Sequence, residues 1–297
     1  MSTNDLTEEK ITDFVLDTLK QTPEIRTKQI MEALVRHLHA FIREIEPSEA
    51  EWMTGVKFLT ATGKMCSDVR QEFILLSDTL GVTTLIDAIN HRYPSGATAN
   101  SVLGPFYLEN LPTVPSGSDI SGGTPGTPMY FAGRILDARD TPVSGAAVDI
   151  WHADGDGHYD VMRPGRRDGE TAMRALMRTD EEGRFWFRSV LPTSYPIPDD
   201  GPVGAMMRAT GRNSIRPAHV HIRVDAPGFQ RLTTMLFVDG DAHIASDPVF
   251  GVKDGLIHQF ELAPAGIMPD GIASDVPYYS VDFDFRLAPL VKAKSNA

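Results

Sequence analysis

The segment Arg216-Pro-Ala-His219-Val-His221-Ile-Arg-Val sets two imidazoles two residues apart. On a strand such residues share a face, so His219 and His221 project together while Val220, Ile222 and Val224 enter a core. Paired imidazoles suit a first-row metal, and with tyrosine or carboxylate partners they suit iron. The spacing alone leaves open a plainer reading, two partly exposed polar residues on a half-buried strand. His37 and His39 have the same spacing inside a helical pattern. There, residues two apart diverge by about 200° and share a small ion poorly, so surface histidines are expected. His91, His152, His243 and His258 have no partner at useful spacing and read as structural or solvated.

A second stretch, Trp151-His-Ala-Asp154-Gly-Asp156-Gly-His158-Tyr159-Asp160, alternates acids with glycine. A calcium loop needs an oxygen ligand at position five and glycine at position six, where this chain has His158 and Tyr159. The run reads instead as a tight turn that delivers His158 or Tyr159 to the strand end. In Leu191-Pro-Thr-Ser-Tyr195-Pro-Ile-Pro198, prolines hold Tyr195 extended and outside a central ladder. Alone, that tyrosine reads as a packing element. No Gly-x-Ser-x-Gly elbow, P-loop or dinucleotide fingerprint is present, so hydrolase, NTPase and Rossmann readings lack support. The acid after His-x-His is Asp225 rather than glutamate, which disfavours a cupin-like site.

These segments need elements to hold them. Up to about residue 95 glycine and proline are sparse, and afterwards they punctuate the chain every few residues. Helical spacing covers Thr7 to Leu19 and Thr27 to Ile45, and Ser48 with Glu51 forms a capping-box pattern opening a third helix. A fourth is expected over Val69 to Asn90, with Gly81 as its candidate break. Beyond Ser101 the apolar runs are short and separated by turns, the pattern of a sandwich or barrel. The 297 residues carry 28 basic and 40 acidic side chains, and the net charge of −12 argues against nucleic acid as a partner. No apolar run approaches a membrane span, the start does not resemble a signal peptide, and Cys66 is the single cysteine. A cytoplasmic protein is expected.

Taken together and in order, these stretches resemble the intradiol ring-cleaving dioxygenases, along with Ser101-Val-Leu-Gly-Pro-Phe-Tyr107, Ala226-Pro-Gly228 and Leu232-Thr-Thr234. The resemblance spans nearly the whole chain. It implies an α+β protein with a helical dimerisation domain (residues 1–100) and a catalytic β-sandwich (residues 101–297). It also implies a homodimer through the helices, with lipid in an apolar tunnel there. Fe(3+) would be held by Tyr159, Tyr195, His219 and His221, the substrates being an aromatic diol and O2. Tyr195 would be the ligand displaced when the diol binds, and Arg216 the arginine beside the ring.

Tyr159-Asp-Val161, Tyr195 to Gly204 and Asp247-Pro-Val-Phe-Gly-Val252 look most like the branch acting on hydroxyquinol (1,2,4-trihydroxybenzene). Met235 stands where simple catechol enzymes usually carry glutamine. The match of Leu75-Leu-Ser-Asp78 to the pocket wall opposite iron makes Asp78 a candidate acceptor for a third ring hydroxyl, or else a solvated or capping residue. Leu75, Val102, Leu103, Gly104, Pro105, Phe106, Ile197 and Val249 are the other positions expected around the ring. Catechol 1,2-dioxygenase is the alternative within the family. A non-enzymatic β-sandwich binding module is the alternative outside it.

Overall fold

A computed structural model describes residues 6–67, 70–92, 96–162 and 170–290. The chain divides into two compact units, Met1–Ala61 and Thr62–Ala297. The first holds α1 (Ile11–Thr18), α2 (Ile25–Ile45) and most of α3 (Glu49–Met65). Helix α2 starts two residues before the apolar pattern because the Glu24 carboxylate accepts the Arg26 and Thr27 amides, which the helix itself leaves without partners. The capping box forms: Ser48 N–H donates to Glu51 Oε2 at 2.8 Å, and Glu51 N–H to Ser48 Oγ at 3.3 Å. His37 is exposed, whereas His39 is partly buried with Nδ1 3.0 Å from Thr12 Oγ1. The apolar stripe of α2 (Ile30, Leu34, Leu38, Phe41, Ile45) stays exposed.

The fourth helical pattern resolves into α4 (Glu72–Thr79) and α5 (Val82–Asn90), separated at Gly81 with φ +72°. Val69, its expected start, lies outside the described residues. Both helices belong to the second unit, although their composition resembles that of the first. Side chains tie them there: Glu72 accepts from the Val203 amide, Arg212 donates to Thr79 O, and Thr84 donates to Val249 O.

The strands follow as β1 (Pro128–Leu136), β2 (Ala147–His152), β3 (Arg174–Arg178), β4 (Arg184–Val190), β5 (Tyr195–Pro196), β6 (Ile215–Arg216), β7 (His219–Asp225) and β8 (Leu232–Val238). Next come β9 (Ile257–His258), β10 (Glu261–Ala263), β11 (Gly266–Ile267), β12 (Ala273–Ser274) and β13 (Tyr278–Arg286), while α6 (Pro202–Ala209) lies between β5 and β6. One sheet has the order β10-β13-β1-β4 and the other β3-β2-β7-β8-β9, with β5–β6 and β11–β12 as small separate pairs. Phe131, Ile135, Phe185, Phe187 and Phe285 from the first sheet share one core with Val148, Ile150, Val220, Ile222 and Val224 from the second. Each such side chain contributes roughly 1.5–3 kcal/mol by burial. The protein is α+β, a helical N-terminal region followed by a β-sandwich.

Strand β7 departs from the half-buried expectation. It lies third in its five-stranded sheet, and every residue from His219 to Val224 is buried. The valines and Ile222 face the sandwich core as the alternation demands, yet His219 and His221 on the other face are each only 1% exposed. Two imidazoles sealed away from water need partners.

Candidate metal centre and ring cavity

Those partners arrive on two loops. After β2, Asp154 Oδ1 accepts the amides of Asp156 (3.0 Å) and His158 (2.8 Å), and Gly157 turns the chain at φ +84°. The turn leaves the His158 side chain largely exposed and brings Tyr159 inward, fully buried. A Cβ at Gly157 would stand 2.8 Å from Tyr195 Cβ, so the two loops pass too closely for a larger residue. Buried Asp160 then anchors the turn to Arg174 on β3, with Nη2 to Oδ1 at 2.6 Å. Tyr195 comes from the proline-flanked loop, whose two-residue strand pairs Tyr195 with Arg216 and Pro196 with Ile215.

The result is a cluster of donor atoms. Tyr159 Oη lies 3.3 Å from Tyr195 Oη and 3.4 Å from His219 Nε2, and His219 Nε2 lies 3.1 Å from His221 Nε2. Donors about 2.0–2.1 Å from one centre and roughly 90–120° apart stand about 2.9–3.6 Å from each other. These three separations fall within the spacing of ligands around a first-row metal. His219 Nδ1 sits 2.7 Å from Pro217 O, which makes it the donor and leaves Nε2 with a lone pair toward the cluster. Trp151 stacks on His221 at 4.5 Å and 12°, holding that ring in plane. Among the described residues no group of three or more His, Cys, Asp or Glu side chains is placed to hold a metal. A mixed imidazole and phenol set is what this chain offers.

Burial sets the charges. It pushes the Tyr159 phenol well above its ordinary value, with the neighbouring Tyr195 adding to the rise. It lowers His219 to about 3 and drives His221 well down, in both cases with Arg216 opposing a second positive charge. The protein alone thus prefers two neutral imidazoles and a neutral Tyr159. A trivalent cation among these atoms would reverse the preference for the phenol and suit two lone-pair nitrogens.

Beside the cluster lies a cavity of about 90 Å³. Tyr195 and Arg216 line it from the side of the donor cluster, and Leu75, Asp78, Val102, Gly104, Pro105, Phe106, Ile197 and Val249 form its other walls. Leu103 is the exception among the expected positions: it is 39% exposed and does not line the cavity. Gly104 beside it turns the chain at φ +74°, and Val102, Gly104, Pro105 and Phe106 line the cavity while Leu103 does not. Asp78 is 7% exposed, so the solvated alternative is set aside, and α5 has no side-chain cap. Burial raises its carboxyl above the ordinary value, while the Thr83 side chain and Arg216 lower it. Arg216 is both partners at once, lining the cavity and ion-paired with Asp247 at 3.1 Å. Met235, fully buried, meets Arg216 Nη2 through its sulfur at 3.5 Å.

Arg70, Gln71, Glu72, Ile74 and Pro198 also line the cavity and were missing from the sequence reading. Gln71, Ile74, Leu75 and Asp78 follow the i, i+3, i+4, i+7 spacing of one helix face, which carried the signal for two of them.

Comparison with known proteins identifies the family. Residues 102–289 match the family model described as dioxygenase, and residues 24–98 match the catechol dioxygenase N terminus. A 6-chlorohydroxyquinol 1,2-dioxygenase from Cupriavidus pinatubonensis is 46% identical, over 94% of this chain and 96% of the relative. The chain belongs to the intradiol ring-cleaving dioxygenases. It is therefore an enzyme, an oxidoreductase of aromatic catabolism. Within that family, a hydroxyquinol 1,2-dioxygenase from Nocardioides simplex is also 46% identical, over 95% of this chain and 96% of the relative. The crystal structure of a hydroxyquinol 1,2-dioxygenase from Pseudomonas putida superposes with a TM-score of 0.89 at 44% identity, covering 95% of this chain and 98% of that one. A catechol 1,2-dioxygenase from Pseudomonas arvilla is more distant, with a TM-score of 0.81 at 27% identity over 97% and 94% of the two chains. The family uses non-haem iron. No helix of the described residues is long and apolar enough to cross a membrane.

Proposed function

We propose that this enzyme is an iron(III)-dependent hydroxyquinol 1,2-dioxygenase. It opens 1,2,4-trihydroxybenzene between adjacent hydroxyls with O2 to give 3-hydroxy-cis,cis-muconate, the tautomer of maleylacetate. The observation that carries the reading is the convergence of Tyr159, Tyr195, His219 and His221 at the end of a cavity holding buried Asp78. These four side chains would hold the metal, which supplies Lewis acidity toward the bound diol and a one-electron partner for its ring.

The protein's own groups divide the remaining work. Tyr195 lines the cavity whereas Tyr159 does not, so Tyr195 is the phenol a diol can displace. With the metal held there, Tyr195 Oη would be the group that takes one substrate proton. Arg216, fixed by Asp247, keeps its positive charge beside the ring and stabilises the negative charge that develops there. Asp78 accepts the third hydroxyl, and a ring lacking that group leaves the buried carboxylate, otherwise bonded to the Thr83 side chain, facing an apolar ring edge. Val102, Phe106, Ile197 and Val249 wall the ring from water. The exposed stripe of α2 is our candidate surface for a homodimer and for an associated lipid. We also place the enzyme in the cytoplasm.

The test is oxygen uptake by the iron-loaded protein with hydroxyquinol and with catechol, together with identification of the product. Faster turnover of hydroxyquinol to a ring-opened dicarboxylate supports the proposal. Preference for catechol would assign the enzyme to the other branch, and no uptake with either would remove the reading.

A further inference from the structure

The ion pair behind Arg216 also fastens a wall of the cavity. Asp247 accepts Arg216 Nε at 3.1 Å through Oδ1 and Nη2 at 3.4 Å through Oδ2. The same two oxygens accept backbone amides of the following loop: Val249 N–H at 3.4 Å and Gly251 N–H at 2.8 Å. Asp247 is 2% exposed in its side chain and Arg216 4%, so neither exchanges these partners for water. Between the two amides lies Phe250 at φ +56°, a left-handed conformation that a non-glycine residue holds only when its surroundings impose it.

The loop's carbonyls are held from other elements. Arg212 donates to Pro248 O at 2.9 Å, Thr84 on α5 to Val249 O at 3.0 Å, and Ser101 to Gly251 O at 2.8 Å. Arg212 also donates to Thr79 O, next to Asp78, and lies 5.1 Å over the Phe250 ring. Gly251 passes so near that an added Cβ would stand 3.0 Å from Arg216 Nη2 and 3.1 Å from Asp247 Oδ2.

We propose that Asp247 is a positioning residue that fixes Arg216 and the Val249 wall as one rigid piece, coupling ring activation to ring selection. The proposal rests on the function argued above. Asp247 touches no reacting atom. It determines where the guanidinium stands relative to the ring, and through the Val249 amide how closely the Val249 wall grips it. Loss of the carboxylate charge therefore disturbs the rate and the choice of substrate together.

Two variants test it by different routes, and a third, Asp247→Glu, is the rescue. Asp247→Asn keeps shape but presents an amide N–H to donors that all need an acceptor. Gly251→Ala keeps every charge and wedges a methyl between the guanidinium and the carboxylate. Each is loaded with iron and assayed for thermal midpoint, iron content, anaerobic affinity for hydroxyquinol and catechol, and kcat and KM on both. A buried bond to a charged group is lost, so kcat on hydroxyquinol should fall roughly tenfold to a hundredfold with iron content retained. The hydroxyquinol-to-catechol ratio of kcat/KM should fall in both variants, and Asp247→Glu should recover part of the ratio. Equal losses on the two diols, or losses tracking only the thermal midpoint, would reduce Asp247 to a structural ion pair and overturn the inference. Wild-type protein that turns over neither diol would instead sink the proposed function, a separate outcome.

Discussion

Replacing Asp78 with Asn examines substrate choice with the smallest change in shape. Asp78 is buried in the same cavity as Arg216 and lies on the α4 face that also presents Gln71, Ile74 and Leu75. A hydrogen bond to a buried charged acceptor contributes roughly 1.5–3 kcal/mol, and 1.4 kcal/mol is a factor of ten. The substitution should therefore lower kcat/KM on hydroxyquinol about tenfold to a hundredfold. Catechol offers no third hydroxyl, so its kcat/KM should stay level or rise as a buried carboxylate is removed from beside its unsubstituted edge. Burial already raises the Asp78 carboxyl, and restoring a neutral group there relieves that penalty. The assay is parallel initial-rate kinetics on the two diols at matched iron occupancy, with the ratio of the two efficiencies as the readout. If the ratio is unchanged while both efficiencies fall, Asp78 acts only through stability and its role toward the third hydroxyl is wrong.

Other substitutions probe the remaining parts. His221→Ala or His219→Ala should abolish iron retention and turnover; metal analysis showing a full iron complement would remove them from the ligand set. Tyr195→Phe should keep part of the iron but lose the phenol that takes the substrate proton, so kcat should drop, and the visible absorption expected from phenolate donation to iron(III) should change; an unaltered spectrum and rate would contradict its role. Gly157→Ala must seat a side chain at φ +84° against Tyr195, and a loss of about 1–3 kcal/mol in chemical denaturation, with weaker iron retention, is expected. His152 is fully buried between Ala153 O and Ser189, and burial depresses it from 6.5 to about 4. Its folded form resists the proton that the unfolded chain accepts, so its contribution is present above pH 6.5 and is lost as pH falls to about 4, at most about 3 kcal/mol. A His152→Gln protein should show a flatter stability profile over that window; an identical profile would contradict the assignment.

The parts of this site that were legible in the sequence are those governed by local chemistry. Alternation on β7 gave the shared face of His219 and His221, and the Asp154-to-Gly157 turn chemistry gave the delivery of a residue at the strand end. It did not decide between His158 and Tyr159, because that depends on which side of the turn meets β5. Nor did it show how deeply the imidazoles are buried, since their cover comes from segments far away in sequence. The Arg216–Asp247 pair joins residues 31 apart through a loop with no periodic pattern, so nothing local pointed to it. The same holds for the membership of α4 and α5, whose apolar spacing is that of any helix while their anchors lie on Arg212, Val203 and Val249. Leu103 lies outside the cavity wall while Val102, Gly104, Pro105 and Phe106 line it, and the turn at Gly104, φ +74°, leaves no simple alternation from which that choice could be read.

The most direct test of the central claim is a single turnover of the iron-loaded enzyme with hydroxyquinol and isotopically labelled O2, with the product read by mass spectrometry. Intradiol cleavage consumes one O2 per ring, leaves both labelled atoms in the product before exchange with water, and breaks the carbon–carbon bond between two hydroxylated carbons to give a dicarboxylate. A semialdehyde from cleavage beside the diol, or an intact ring carrying one labelled atom, would contradict it.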